Sequence, residues 1–110
     1  MPHCIVDHSL SVESEVDLRA AINSIHQSML ASDLFVEPAI KVRLNAYVDY
    51  SVGGEVIPFA ACIIRLLSGR TIEQKQDLSK RIFSTLQQAF GAACSCSVEI
   101  VDVENDCYTK

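Results

Sequence analysis

Leu66-Leu67-Ser68-Gly69-Arg70-Thr71-Ile72-Glu73-Gln74-Lys75-Gln76 holds the end of one element and the start of the next. Ser68 and Gly69 break an apolar run. Thr71-x-x-Gln74 then has the spacing of a capping box, in which each side chain satisfies a backbone N–H at a helix start. Backward from the break, Val56 to Leu67 is apolar on both faces and reads as a central strand. Forward from it, Leu78, Ile82, Leu86, Ala89 and Phe90 recur at helical spacing until Gly91 ends the stripe. Ser97 to Val103 alternates loosely as a last strand, and a polar tail runs on to Lys110.

The first half repeats this order. His3 to Asp7 is a short apolar-rich run that reads as a strand. Ser14-x-x-Asp17 offers a capped helix start, and Leu18, Ala21, Ile22, Ile25 and Met29 form one stripe. The predicted helix runs from about Glu13–Glu15 to Ala31, and Pro38 forbids its continuation. From Ile40 to Val48 the pattern alternates: Ile40, Val42, Leu44, Ala46 and Val48 face one way, and Lys41, Arg43, Asn45 and Tyr47 the other. Val52-Gly53-Gly54-Glu55 is the turn that closes the half.

Each half has about the minimum length of a β-α-β unit. The halves echo in detail, with Pro2 and Pro58 near their openings and Ser11-Val12-Glu13 answering Thr71-Ile72-Glu73. The expectation is an α+β fold in one domain over 1–110, with repeat halves at about 1–52 and 56–104. Duplicated β-α-β units would form one four-stranded mixed sheet with two helices on one face. The other face then has no helix to cover it, and packing against neighbouring subunits is its simplest use.

Composition narrows the function. Of 110 residues, 49% are hydrophobic and none is Trp, so aliphatic packing dominates. The net charge of −5 argues against a nucleic-acid partner, which needs a basic face. No apolar stretch reaches bilayer length. The first residues lack the basic-then-apolar layout of a secretory signal, so a cytoplasmic location is expected. Five cysteines at 4, 62, 94, 96 and 107 read as reduced thiols, and Cys94-x-Cys96 has neither redox nor zinc spacing. No metal or cofactor is expected.

Pro2 is the candidate for chemistry. Trimming of Met1 would leave a secondary amine of the α-amino class, ordinarily near pKa 7.7–8.0. An apolar pocket or nearby cations would lower that value and leave a base poised near neutrality. The plain alternative is an edge-strand proline, whose missing N–H costs nothing. Lys41 and Arg43, one pleat apart, would make a carboxylate cradle, or else simply face water. Asn45 and Tyr47 share that face and would meet ligand or a neighbouring subunit. His3 and His8 would flank a site or serve the structure, and Asp7 would orient a cation or face water.

These residues carry a resemblance. A duplicated β-α-β chain with Pro directly after Met resembles the tautomerase superfamily. Met1-Pro2-His3-Cys4-Ile5-Val6-Asp7 is similar to the opening of 5-carboxymethyl-2-hydroxymuconate isomerases. Ala39-Ile40-Lys41-Val42-Arg43 falls where that family has a basic strand, and Gly69-Arg70-Thr71-Ile72-Glu73 resembles a segment shared with 4-oxalocrotonate tautomerase. The resemblance implies a homotrimer and a proton shift on an unsaturated 2-hydroxy- or 2-keto-carboxylate, such as 5-carboxymethyl-2-hydroxymuconate from aromatic catabolism. It implies Pro2 as general base and acid, with Arg70 and Arg43 binding carboxylate and polarising oxygen. Lys41, Asn45 and Tyr47 would contact the small mono- or poly-carboxylate. Lys41 stands where the isomerases have arginine, and an ammonium cannot make the bidentate fork. Phenylpyruvate-type tautomerase, hydratase or decarboxylase activity, or a non-enzymatic trimeric module, are the other readings.

Overall fold

The computed structural model describes residues 1–11 and 16–110. The elements are β1 (His3–Ser9), α1 (Leu18–Ala31), β2 (Lys41–Tyr47), β3 (Phe59–Leu67), α2 (Ile72–Phe90) and β4 (Ser95–Val103), with short 3-10 turns at Glu37–Ala39 and Asn105–Cys107.

The capping box at α2 is complete. Gln74 N–H donates to Thr71 Oγ1 at 3.1 Å, and Thr71 N–H donates to Gln74 Oε1 at 2.9 Å. Leu78, Ile82, Leu86 and Phe90 are its buried stripe, and Gly91 ends it at φ +92°, a conformation that strains any residue with a Cβ. In α1 the buried stripe is Ala21, Ile25 and Met29. This helix begins at Leu18, where its apolar stripe starts, and not at the predicted Glu13–Glu15, because Asp17 is the cap and accepts from Ala20 N–H at 3.0 Å. The expected Ser14 cap lies outside the described residues.

β3 begins at Phe59, three residues after the expected Val56. A tight turn bridges Val52 to Glu55 through Gly53 and Gly54, both at positive φ, and leaves Val56 77% exposed. Pairing with β4 starts earlier than expected, since Ser95 N–H donates to Pro58 C=O at 2.9 Å.

The sheet order is β2-β1-β3-β4. Each half contributes a parallel pair, and β1 joins β3 antiparallel, with His3 opposite Arg65. Cys4, Val6, Ala60, Cys62, Ile64 and Leu66 are buried beneath the two helices, whose stripes complete one core. The opposite face carries His3, Ile5, Lys41, Arg43, Ile63 and Arg65, none of them buried. The antiparallel joint therefore gathers the starts of β1 and β2 and the ends of β3 and β4 at one end of the sheet.

Leu78→Ala should cost about 2–5 kcal/mol, as buried leucine truncations do. Thr71→Ala should cost about 1 kcal/mol through loss of the cap. Urea unfolding measures both, and a Thr71→Ala penalty equal to that of Leu78→Ala would contradict this ranking.

Candidate functional site

The gathered end of the sheet brings several cations close to the chain start. Of nine Lys and Arg residues, five act electrostatically on Met1 or His3: Lys41, Arg43, Arg65, Arg70 and Lys110. Burial pushes the Met1 amine below its ordinary value of 8.0, and Lys41, Lys110 and Arg70 push it further the same way. An amine here is unprotonated at neutral pH to a greater extent than an exposed one.

Pro2 is buried, and its carbonyl accepts from Lys41 N–H at 3.1 Å, which ties the chain start to β2. With Met1 in place the Pro2 nitrogen is an amide and carries no proton. The Lys41 ammonium donates to Ala39 C=O at 3.1 Å.

Arg70 is held from three sides. Its Nη1 donates to Leu67 C=O at 3.0 Å, its Nη2 to Leu34 C=O at 2.9 Å, and the guanidinium lies 5.2 Å from the centre of the Phe35 ring. Gly69, at φ +127°, makes the turn that swings Arg70 off the end of β3. A guanidinium has five N–H donors, so two carbonyl bonds fix its plane without exhausting it. Arg70 also lines a hollow of about 430 Å³ with Asp33, Leu34, Ser68 and Gln74.

On the uncovered sheet face, Met1, His3, Arg43, Arg65 and Tyr108 line a cavity of about 300 Å³. Arg43 Nη1 donates to His3 Nδ1 at 3.1 Å, and His3 Nε2 lies 3.1 Å from the Tyr108 hydroxyl. Burial and then Arg43, Lys41, the chain-terminal amine and Arg65 all lower the His3 pKa from 6.5, so the ring is neutral near pH 7.

Of the residues singled out in the sequence, Pro2, Lys41, Arg43 and Arg70 lie around this end. Asn45 and Tyr47 do not join them within one chain. They pair with Asp7 and Ser9, roughly 13 and 20 Å along β2 from Lys41 at the usual strand rise. Asn45 Nδ2 donates to the Tyr47 hydroxyl at 3.4 Å, and the Tyr47 ring sits 6.4 Å from that of Phe59.

Arg65 and Tyr108 were not legible as site residues. Arg65 sits in a run that reads as apolar on both faces, although alternation with Ile64 and Leu66 places it on the open side. Tyr108 meets His3 across 105 positions of chain, and no local pattern signals such a contact.

The buried thiols are ill suited to chemistry. Cys4 and Cys62 lie buried with sulfurs 3.4 Å apart, and the bond between them, with burial, holds Cys62 protonated. Burial and Cys96 push the Cys94 thiol up to about 12. A further hollow of about 300 Å³ runs between α2 and β4, but its one cation, Lys75, is paired with Asp102 at 3.0 Å.

Among solved structures, the chain is similar to a 5-carboxymethyl-2-hydroxymuconate isomerase from Deinococcus radiodurans R1, at 19% identity and TM-score 0.87 over 99% of this chain and 87% of that one. It is also similar to a 5-carboxymethyl-2-hydroxymuconate delta-isomerase, at 17% identity and TM-score 0.77 over 100% and 87%. A fused wild-type 4-OT symmetric trimer matches at 19% identity and TM-score 0.75 over 93% and 85%. These likenesses establish the tautomerase-like fold. No curated protein sequence matches the chain. The family model for 5-carboxymethyl-2-hydroxymuconate isomerase spans residues 2–106, from the buried proline past the last strand. Across nearly its whole length, therefore, the chain belongs to the 5-carboxymethyl-2-hydroxymuconate isomerase family.

Proposed function

We propose that the protein is an isomerase that shifts a proton on an unsaturated 2-hydroxy- or 2-keto-carboxylate such as 5-carboxymethyl-2-hydroxymuconate. The observation that carries this reading is a buried Pro2 tied by its carbonyl to Lys41 at a chain start on which Lys41, Arg70 and Lys110 act, in a protein of net charge −5. The family match, which begins at residue 2, supports it.

In this reading Met1 is removed and the Pro2 nitrogen becomes the base. It lifts a proton from the substrate hydroxyl or carbon and returns it to another carbon, acting first as base and then as acid. Negative charge develops on the dienolate oxygen during transfer. Fixed guanidinium donors stabilise that charge more than mobile water does. Arg70, already held by two carbonyls and Phe35, loses little freedom on binding. Arg43 and Lys41 bind carboxylate. Their like charge also keeps the amine unprotonated.

Asn45 and Tyr47 contact substrate only if another subunit brings its strand to the site. A homotrimer supplies that arrangement, and the fused 4-OT trimer among the structural relatives supports it. Ile63 and Tyr47 on the uncovered sheet face, and Val48 just past β2, are exposed in the single chain, as a shared interface requires.

Ultraviolet assay of 5-carboxymethyl-2-hydroxymuconate should show turnover, and intact mass should show a chain lacking Met1. Faster turnover of phenylpyruvate would overturn the substrate assignment. Pro2→Ala should lower kcat by about 10²–10⁴, the usual worth of a positioned acid–base group. An unchanged rate would show that the secondary amine of proline is not required.

Since the neutral amine is the active form and nearby cations disfavour its protonation, kcat/KM should rise with pH through a midpoint below the ordinary α-amino range of about 7.7–8.0. A rate that falls over that range would contradict the assignment. Arg70→Ala should raise KM and lower kcat together, because the group binds substrate and stabilises the transition state.

A further inference from the structure

The three histidines are used differently. His8 is buried, with Nδ1 bonded to its neighbour's carbonyl at Ser9 and its ring 5.9 Å from that of Phe90. His26 pairs with Glu37 on the surface at 2.8 Å. His3 instead bridges two side chains on the cavity wall, Arg43 from β2 and Tyr108 from the tail.

That bridge has only one protonation pattern. A guanidinium has no acceptor, so Arg43 donates and His3 Nδ1 must keep its lone pair. A neutral ring then carries its hydrogen on Nε2, and the Tyr108 oxygen, 3.1 Å away, accepts it. The His3 and Tyr108 rings meet nearly edge-on, with centroids 6.3 Å apart and planes at 73°. The bond to Nε2 thus fixes the tautomer that the bond to Nδ1 requires.

We propose that His3 and Tyr108 form a positioning relay that aims the Arg43 guanidinium over the cavity to receive a substrate carboxylate. The inference rests on the isomerase reading for the identity of the acid, but not for the geometry. Arg43 stands exposed on edge strand β2, where an untethered arginine samples many rotamers and must lose that freedom on binding. The imidazole tether removes that loss in advance. Arg65, opposite His3 on β3, adds a second guanidinium to the same cavity wall.

The relay needs neutral His3. The charged groups facing the ring are Lys41 and Arg43 on β2, the chain-terminal amine, and Arg65 on β3. Tyr108 comes from the tail. Every charge in that set is positive and opposes protonation of the ring. Arg43 can therefore rely on the acceptor at pH 7.

A double-mutant cycle on the full-length protein tests the relay, with KM for 5-carboxymethyl-2-hydroxymuconate and Kd for glutarate as readouts. His3→Leu should weaken both on the order of tenfold, with kcat less affected, as expected for a pair coupled through one bond. In the Arg43→Ala background the same change should add less than about twofold. His3→Asn, whose amide oxygen reaches the Nδ1 position, should recover most of the loss, and Tyr108→Phe should produce a smaller loss of the same kind. Nitrogen NMR should show the His3 hydrogen on Nε2 at pH 7. Multiplicative losses in the cycle, no recovery by His3→Asn, a hydrogen on Nδ1, or no glutarate binding by the wild-type protein would each overturn the relay. Wild-type protein that binds glutarate but turns over no substrate would strike the isomerase reading and leave the relay to the glutarate cycle.

Discussion

The antiparallel pairing of β1 with β3 is the constraint on which the rest depends. Two parallel β-α-β units could exist without it, but each would keep its basic residues apart from the other's. The joint sets His3 opposite Arg65 and brings the end of β3, with its Gly69–Arg70 turn, beside the chain start. One backbone register thus builds the cationic corner. Core burial under α1 and α2 fixes that register, because a one-residue slip would turn Cys4, Val6, Cys62 and Ile64 toward water.

Five cations act on the chain start or on His3 in a protein that is acidic overall. The corner is further specialised by how each cation is held. Arg70 is clamped by carbonyls and a ring, Arg43 by an imidazole, and Lys41 by a carbonyl of its own loop. Fixed donors of this kind favour an anion whose charge grows at one oxygen over anions in general. Such selectivity suits a proton-shift enzyme better than a simple anion binder.

Most of the fold was legible because local rules and the tertiary result agree. The Thr71–Gln74 box, the Leu78–Ile82–Leu86 stripe and the alternation through β2 all appear where their spacing places them. The disagreements lie where a competing signal was equally good. Asp17 caps α1, which starts at Leu18, and Val56 to Pro58, which read as strand, precede the start of β3 at Phe59. The site was legible only in part. Pro2, Lys41, Arg43 and Arg70 stand on strand starts or turns, where sequence pattern shows them. Arg65 was hidden in an apolar run and Tyr108 in a tail that returns to β1. The distance of Asn45 and Tyr47 from Lys41 follows from register, which alternation alone does not reveal.

The central claim is that the cationic corner holds a proline nitrogen unprotonated near neutrality. Nitrogen NMR titration of Pro2 in the mature protein tests it most directly. The account predicts a secondary-amine signal with a midpoint below the ordinary α-amino range of about 7.7–8.0. An amide signal showing Met1 still attached in active protein, or a midpoint above that range, would contradict it.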